Sequence, residues 1–256
     1  RNINWGIREF AMASAQNGML LHGGLKTYVG CFLVFADYMK NAIRMAALSK
    51  LPGIFLFSHD SIAVGEDGPT HQPIEQLAML RSIPNVNVIR PCDARETYAA
   101  WKIALQSKTT PTCLILSRQN LPLLASKYKE VEKGAYVIFK EMKHIDATIV
   151  ATGSEVSLAI GAQKLLSKKG IDIRVVSMPS WFNFDAQSNE YKNKVFGTTK
   201  DRIIAVEMLS TFGWHKYADH VMGIDTFGTS APAKDAMEAF KFTVNDLVNF
   251  VEESIR

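Results

Sequence analysis

The sequence IFLF at residues 54–57 runs directly into the polar stretch SHDSIAVGEDGPTHQP at residues 58–73. A short apolar run without alternation is typical of a strand buried on both faces of a parallel sheet. In α/β proteins, the loops at the carboxyl ends of such strands carry ligand-binding groups. This stretch therefore predicts both the class of fold and the place of a functional site.

Similar apolar runs recur along the chain and alternate with segments of helical periodicity. Helices are predicted at 93–107 and 154–168, and each begins with a capping pattern, Asp93 to Glu96 and Thr152 to Glu155. The alternation predicts an α/β fold of two three-layer α/β/α domains with mostly parallel sheets. The other predicted strands are 32–34, 86–89, 113–116, 148–150, 173–176, 203–206 and 220–222.

The composition is that of a globular protein. Of 256 residues, 47% are hydrophobic and 21% are charged, which excludes a disordered tail and a disulfide-stapled miniprotein. The net charge of +4 is too small to indicate a nucleic-acid partner. The three cysteines are far apart in the sequence, which favours a reducing, cytoplasmic location. No apolar run approaches the roughly 18 residues of a membrane span.

A change in composition divides the chain. Residues 121–145 are rich in charge and lack a clear period, so they are predicted to link a domain at 1–120 to a domain at 146–256. The sequence opens at Arg1 without a methionine, and helical patterning starts within a few residues. We therefore expect it to be part of a longer chain.

The polar loop at 58–73 has the densest cluster of reactive side chains. Two imidazoles, His59 and His71, accompany the carboxylates Asp60, Glu66 and Asp67. Such groups suit proton transfer or recognition of hydroxyls. They can also ligate a divalent metal, but the spacing of the two histidines matches no compact metal motif. A polar surface loop rich in turn residues fits the same pattern.

Three further features are ambiguous from the residues alone. Glu9 lies beside an apolar helical stripe, which favours a solvated position for its carboxylate. Phe32, Phe35 and Tyr38 recur at three-residue spacing, which is more typical of core than of a cofactor platform. Arg118 follows a predicted strand, as a phosphate-binding or an ordinary surface arginine would. The stripe beside Glu9 consists of Ile7, Phe10, Ala11 and Ala15.

These stretches closely resemble the transketolase family over essentially the whole chain. The loop at 59–73 is the most specific match, because a related deoxyxylulose phosphate synthase shares only a GADGPTH-like core of it. The other matching stretches are RNINWGIREF at 1–10, GCFLVFADY at 30–38, LSRQN at 116–120, ATGSE at 151–155 and TFGTSAP at 226–232.

The resemblance implies transfer of a two-carbon ketol unit from a ketose phosphate to an aldose phosphate, a reaction of the pentose phosphate pathway. Family members use thiamine diphosphate and a divalent cation, magnesium or calcium. Residues 1–120 would be a pyrimidine-binding domain without its beginning, and 146–256 a complete C-terminal domain. The ligands of metal and diphosphate would lie outside this chain. Because family sites form between the subunits of a homodimer, the chain alone would be inactive.

The resemblance also implies roles for individual residues. Glu9 would hydrogen-bond the ring nitrogen of the pyrimidine, which replaces the solvated interpretation of this carboxylate. Phe35 would stack on the pyrimidine in a pocket shared with Phe32 and Tyr38. Glu9 and His71 would be the catalytic residues.

The substrate roles fall on the remaining polar residues. His59 and Arg118 would bind the sugar phosphate, and Asp67 would bind the C2 hydroxyl of the substrate. His71 would face the cofactor's amino group and the donor hydroxyls. Two alternatives remain: a sister thiamine-dependent enzyme, such as a dihydroxyacetone or deoxyxylulose phosphate synthase, and a non-catalytic assembly or regulatory module.

Overall fold

In the computed structural model, which describes residues 2–256, the chain forms two β-sheets. The first sheet has the strand order β1-β2-β4-β3, and all its neighbouring strands are parallel. Its strands are β1 (Tyr28–Phe32), β2 (Ile54–Ser58), β3 (Asn87–Ile89) and β4 (Thr112–Ile115).

The second sheet has the order β5-β7-β6-β8-β9. Strand β5 pairs antiparallel with β7, and the other neighbours are parallel. Its strands are β5 (Tyr136–Phe139), β6 (Ala147–Ala151), β7 (Ile173–Ser177), β8 (Ile203–Val206) and β9 (His220–Met222).

Nine α-helices are formed by residues 2–256, and none of these is long and apolar enough to cross a membrane. Four belong to the first half of the chain: α1 (Glu9–His22), α2 (Ala36–Leu48), α3 (Gln76–Arg81) and α4 (Ala94–Gln106). The others are α5 (Glu155–Lys168), α6 (Trp181–Asp185), α7 (Asn189–Phe196), α8 (Ala233–Ala239) and α9 (Val244–Ser254).

Both faces of each sheet are covered by helices. Phe55 and Phe57 of β2 pack into one cluster with residues of α1, α2 and α3, whereas Ile54 packs on the opposite face against α4. In the second sheet, Ile149 packs with α5 and α9, and Val150 packs with α6 and α7. Since successive strand residues point to opposite faces, both faces of β2 and β6 are apolar. This confirms the predicted α/β class and its mostly parallel sheets.

The structure differs from the sequence prediction at one strand and within the segment predicted as linker. The run predicted at 32–34 ends its strand at Phe32, because Leu33–Phe35 form a short 3₁₀ helix that turns the chain into α2. Strand β5 lies inside the segment 121–145 that was predicted as linker. The charged residues before β5 belong to a 3₁₀ helix, Tyr128–Lys133, and their composition hid the apolar strand that follows.

The two capping predictions had different outcomes. The Asp93 carboxylate caps α4 by accepting hydrogen bonds from the backbone N–H groups of Arg95 and Glu96. The cap predicted at Thr152 was wrong, since the N-cap of α5 is Ser154 and its side chain makes no capping bond. The side chains of Thr152 and Glu155 instead bind Arg90.

The two halves of the chain are joined by backbone hydrogen bonds and by a shared core. Arg90 N–H donates to the carbonyl of Pro179 at 2.9 Å, and Gly153 N–H donates to the carbonyl of Arg90 at 3.2 Å. Ile62 and Ile74 of the first half pack within the core of the second. The sheets are therefore held in a definite relation to each other.

Candidate active site

The predicted site residues meet at the carboxyl edge of the first sheet. Phe32 ends β1, His59 directly follows β2, and Arg118 comes shortly after β4. These three strands are parallel neighbours, so their carboxyl ends lie side by side. The loop after β2 brings Asp67 and His71 to the same edge.

Aromatic rings form the centre of this edge. The rings of Phe32 and His59 stack with centroids 3.5 Å apart, and His71 meets Phe35 edge-on at 5.5 Å. Phe35 lies 6.2 Å from both Phe32 and Tyr38, measured between ring centroids. Tyr38 is 64% exposed, so the interpretation of this triplet as plain core was wrong for Tyr38. The rings form a partly open aromatic surface.

His59 has an unusual backbone conformation and a lowered pKa. Its φ of 61° lies in the left-handed region, which non-glycine residues rarely adopt. Partial burial and the positive charge of Arg118 lower the pKa of His59, and the carboxylates of Asp67 and Asp60 oppose this effect. At neutral pH the ring is therefore mainly neutral, and Arg118 supplies the positive charge of the pair.

The loop at 58–73 is held in place by its own turns and by the second half of the chain. His71 N–H donates to the carbonyl of Gly68 at 3.0 Å, and the Thr70 hydroxyl lies 2.9 Å from His71 Nδ1. The Gln72 side-chain amide donates to the carbonyl of Thr229 at 2.9 Å. The hydroxyl of Ser230 donates to the carbonyl of Glu66 at 2.6 Å. This loop is therefore fixed between the two halves.

Glu9 is the first residue of α1 and is half-buried. Burial, aided by the negative charge of Glu9, raises the pKa of the Cys31 thiol to about 12. The Glu9 carboxylate therefore lies near Cys31, the residue before Phe32 in β1. The structure thus brings together seven of the eight predicted site residues, and it places the eighth, Glu9, near Cys31; the seven are Phe32, Phe35, Tyr38, His59, Asp67, His71 and Arg118.

The apolar stripe predicted for α1 is not the face that α1 buries. Ile7 is 93% exposed and Phe10 is 54% exposed, whereas the buried residues of the helix are Ala13, Gln16 and Asn17. The side-chain amide of Asn17 donates to the carbonyl of Ala42 in α2 at 2.8 Å. Helix α1 therefore packs on α2 through a narrow, partly polar face.

One carboxylate of the loop is withdrawn from the site. Asp60 is 1% exposed and accepts a hydrogen bond of 2.9 Å from Nε of Arg90. Sequence reasoning grouped Asp60 with the reactive carboxylates and missed Arg90 altogether. The available signal was an arginine placed directly after the apolar strand β3. Residues 2–256 contain no group of three or more His, Cys, Asp or Glu side chains arranged to hold a metal ion.

Comparison with known families agrees with this geometry. Residues 1–123 match the family model "Transketolase, pyrimidine binding domain". Residues 134–243 match the model "Transketolase-like TK C-terminal domain". The chain thus falls in the class of α/β proteins that join a pyrimidine-binding domain to a C-terminal domain of this type.

Individual relatives narrow the class. A transketolase from Halalkalibacterium halodurans is 54% identical over 255 residues, which are 97% of this chain and 38% of the relative. A crystal structure of transketolase from Pichia stipitis in complex with sedoheptulose 7-phosphate is 45% identical, with a TM-score of 0.95. It covers 99% of this chain, which in turn covers 37% of that protein. The chain belongs to the transketolase family.

The extent of the match differs among relatives. The chain spans about 38% of the length of the Halalkalibacterium relative. A structure described as a split gene transketolase, inactive beta4 tetramer, is 27% identical with a TM-score of 0.81. This match covers 98% of the present chain and 82% of the split-gene chain. Proteins of this family thus include a chain of similar extent.

Proposed function

We propose that this chain supplies the pyrimidine-binding and sugar-recognising half of a transketolase active site. The complete enzyme would transfer a two-carbon ketol unit from a ketose phosphate to an aldose phosphate. The observation that carries the proposal is the meeting of aromatic rings, two imidazoles, the Asp67 carboxylate and a guanidinium at one sheet edge. An ordinary surface loop gives no reason for the carboxyl ends of three strands to contribute to one cluster.

The side chains fit the pyrimidine of thiamine diphosphate. The partly open rings of Phe35 and Tyr38 offer a surface on which a flat heterocycle can stack. The half-buried Glu9 carboxylate near Cys31 would hold a proton at the ring nitrogen, and His71 would face the amino group. When bound, the cofactor supplies stabilisation of a carbanion. The diphosphate and a magnesium or calcium ion would be held by residues outside this chain.

The same edge fits a sugar phosphate. Arg118 would provide the charge that attracts the phosphate, since a guanidinium forms forked hydrogen bonds with such oxygens. The neutral ring of His59 would add a hydrogen bond instead of a second charge. The exposed carboxylate of Asp67 would accept a hydrogen bond from the C2 hydroxyl.

The missing half of the site would come from an amino-terminal domain, with two copies of the complete unit forming a homodimer. Large apolar side chains on and near α1 support a covered surface there, because such residues are seldom exposed together. They are Ile3, Ile7, Phe10, Leu21 and Leu25. The cytoplasmic location remains a prediction; all three cysteines are thiols in the structure.

The test replaces the corresponding segment of the Halalkalibacterium relative with this chain. We expect the chimera to transfer a ketol unit, and Glu9→Gln to lower kcat at least 100-fold, because the proton at the pyrimidine nitrogen loses its partner. The matched control is Glu253→Gln on α9, which should leave kcat unchanged. A well-folded chimera without activity would favour a non-catalytic module, and a preference for formaldehyde as acceptor or for pyruvate as donor would favour a sister synthase.

The chain by itself should have half a site. Isothermal titration of the 256-residue chain with thiamine diphosphate and magnesium should show no micromolar binding, and no ketol transfer should be detected. Micromolar binding without a second protein would contradict the assignment of the diphosphate and metal ligands to another part of the enzyme.

A further inference from the structure

The second sheet has a ligand crevice of its own. The chain leaves β6 toward β7 on one side and then crosses to β8 on the other, so the strand order reverses between β6 and β8. In open α/β sheets, ligands bind at this point, outside the carboxyl ends of the strands. Three polar residues line it here, and each is at most 1% exposed: Thr152, Glu155 and Glu207.

The crevice is filled by Arg90 from the first half of the chain. Its Nη1 donates to the Thr152 hydroxyl at 2.8 Å and to the Thr152 carbonyl at 3.2 Å. Both Nη atoms bind the Glu155 carboxylate, and Nε donates to Asp60 at 2.9 Å. Arg90 is fully buried. All three nitrogens of its guanidinium therefore donate hydrogen bonds, as those of a bound ligand would.

The walls of the crevice are built around this planar cation. Gly153 has a φ of +53°, and a Cβ at this position would lie 2.6 Å from the Arg90 guanidinium carbon. Glu207 lies 3.8 Å from Arg90 and is itself bound by Arg81 at 2.7 and 2.9 Å and by the Trp214 indole N–H at 2.8 Å. The site thus combines close backbone approach with an excess of negative charge.

We propose that the crevice between β6 and β8 is a guanidinium-binding site whose built-in ligand is Arg90, and that through Asp60 this ligand positions the loop bearing His59. The link is short, since Asp60 directly follows His59 and accepts a hydrogen bond from Arg90, which Thr152 and Glu155 of the second half hold in turn. The benefit to sugar binding rests on the proposed function, whereas the measurements below concern binding and stability in this chain alone.

The binding half of the proposal is tested by emptying the site. Arg90→Ala should lower the unfolding temperature by roughly 10 °C, because it leaves buried carboxylates unpaired. Millimolar methylguanidinium should then raise the unfolding temperature of Arg90→Ala by about 3 °C, whereas methylammonium should not. If Arg90→Ala is unfolded without additive, methylguanidinium should restore folding and methylammonium should not.

A matched control separates this site from general salt effects. Arg174→Ala removes another arginine that binds a carboxylate, Glu141, with two hydrogen bonds of 2.7 and 2.8 Å near the surface. Methylguanidinium should not stabilise Arg174→Ala or the parent chain. Equal effects of methylguanidinium and methylammonium on Arg90→Ala, or no effect of either, would overturn the guanidinium site.

The second part of the proposal, that Arg90 positions the loop bearing His59 through Asp60, is tested with a substitution in the second half of the chain. Glu155→Gln weakens the hold on Arg90 without changing any residue of the first half of the chain. Because the His59 ring stacks on Phe32 at 3.5 Å, its ring-proton resonance responds to small movements of the loop. We expect this resonance to shift in Glu155→Gln and to stay in place in Glu141→Gln. An unchanged resonance in both variants would show that the second half does not position His59.

Discussion

The carboxyl edges of the two sheets are built in the same way, but they differ in exposure. We call the edge of the first sheet the open edge and the edge of the second sheet the closed edge. At the first edge, His59, Asp67 and Arg118 surround a partly open aromatic surface. At the second edge, Glu155 and Glu207 are buried and bound by arginines from the first half of the chain. The same feature of an α/β sheet is thus open to a ligand in one half and closed by a neighbouring domain in the other.

The two buried glutamates, Glu155 and Glu207, show what a buried carboxylate at this edge needs in order to stay charged. Burial raises the pKa of Glu155 despite the charge of Arg90. The pKa of Glu207 is lowered against the same burial, because Arg81 binds both its carboxylate oxygens and Arg90 lies nearby. A buried carboxylate keeps its charge only where cations and donors replace its hydration. The buried carboxylates of the closed edge therefore depend on their arginine partners, which the exposed Asp67 at the open edge does not need.

The largest effect is expected from removing a partner at the closed edge. Glu207→Ala leaves the Arg81 guanidinium and the Trp214 N–H without their acceptor. It should lower the free energy of unfolding by about 3–5 kcal/mol. Denaturant unfolding followed by tryptophan fluorescence measures it. Glu141→Ala, at a more exposed arginine pair, should cost about 1 kcal/mol, and equal losses would contradict the contrast.

The next largest change in the free energy of unfolding is expected at one of two aspartates in the loop at 58–73. Asp60 is buried and bound to Arg90, whereas Asp67 is exposed at the open edge. Asp60→Ala should lower the free energy of unfolding by roughly 2–3 kcal/mol, because a buried charged donor loses its acceptor. Asp67→Ala should change it by less than about 0.5 kcal/mol. If urea unfolding showed a larger loss of stability for Asp67→Ala than for Asp60→Ala, the two aspartates would not belong to different edges.

A smaller loss of stability is expected from a substitution at Gly153, where the backbone approaches Arg90 closely. Gly153 and Gly170 both have positive φ, +53° and +80°, but a Cβ at Gly170 would meet nothing within 4 Å. Gly170→Ala should therefore cost about 1 kcal/mol for conformation alone. Gly153→Ala should cost roughly 1–2 kcal/mol more, because the methyl group collides with the guanidinium. Thermal unfolding of both variants would reveal whether the excess exists.

The open edge was more predictable from the sequence than the closed one. The polar loop at 58–73 stands out beside the apolar run of β2, and the order of parallel strands brings Phe32 and Arg118 to it. The family resemblance identified Glu9, whose own surroundings in the sequence favour a solvated carboxylate. Local patterns can find such residues because the strands and the loop that carry them are themselves local features.

The closed edge could not be predicted because its partners are distant in the sequence. Thr152 and Glu155 fit a capping box, and only the fold shows that Arg90, some sixty residues earlier, takes both side chains. The prediction for α1 was wrong for a different reason. Apolar spacing marks one face of a helix, but it does not show whether residues of this chain pack on that face. Long-range pairing of polar groups leaves no periodic trace.

The smallest effect concerns charge at the open edge and can be measured without activity. Since the positive charge of Arg118 lowers the pKa of His59 and Asp67 raises it, Arg118→Gln should raise this pKa and Asp67→Asn should lower it further. Arg95→Gln on α4 is the control that should leave it unchanged. Because the folded pKa lies below the ordinary value of about 6.5, the neutral ring favours the fold above that pH, and stability falls as the pH drops through it. A histidine titration by NMR that moves in the same direction for both variants would show that His59, Asp67 and Arg118 do not form one electrostatic unit.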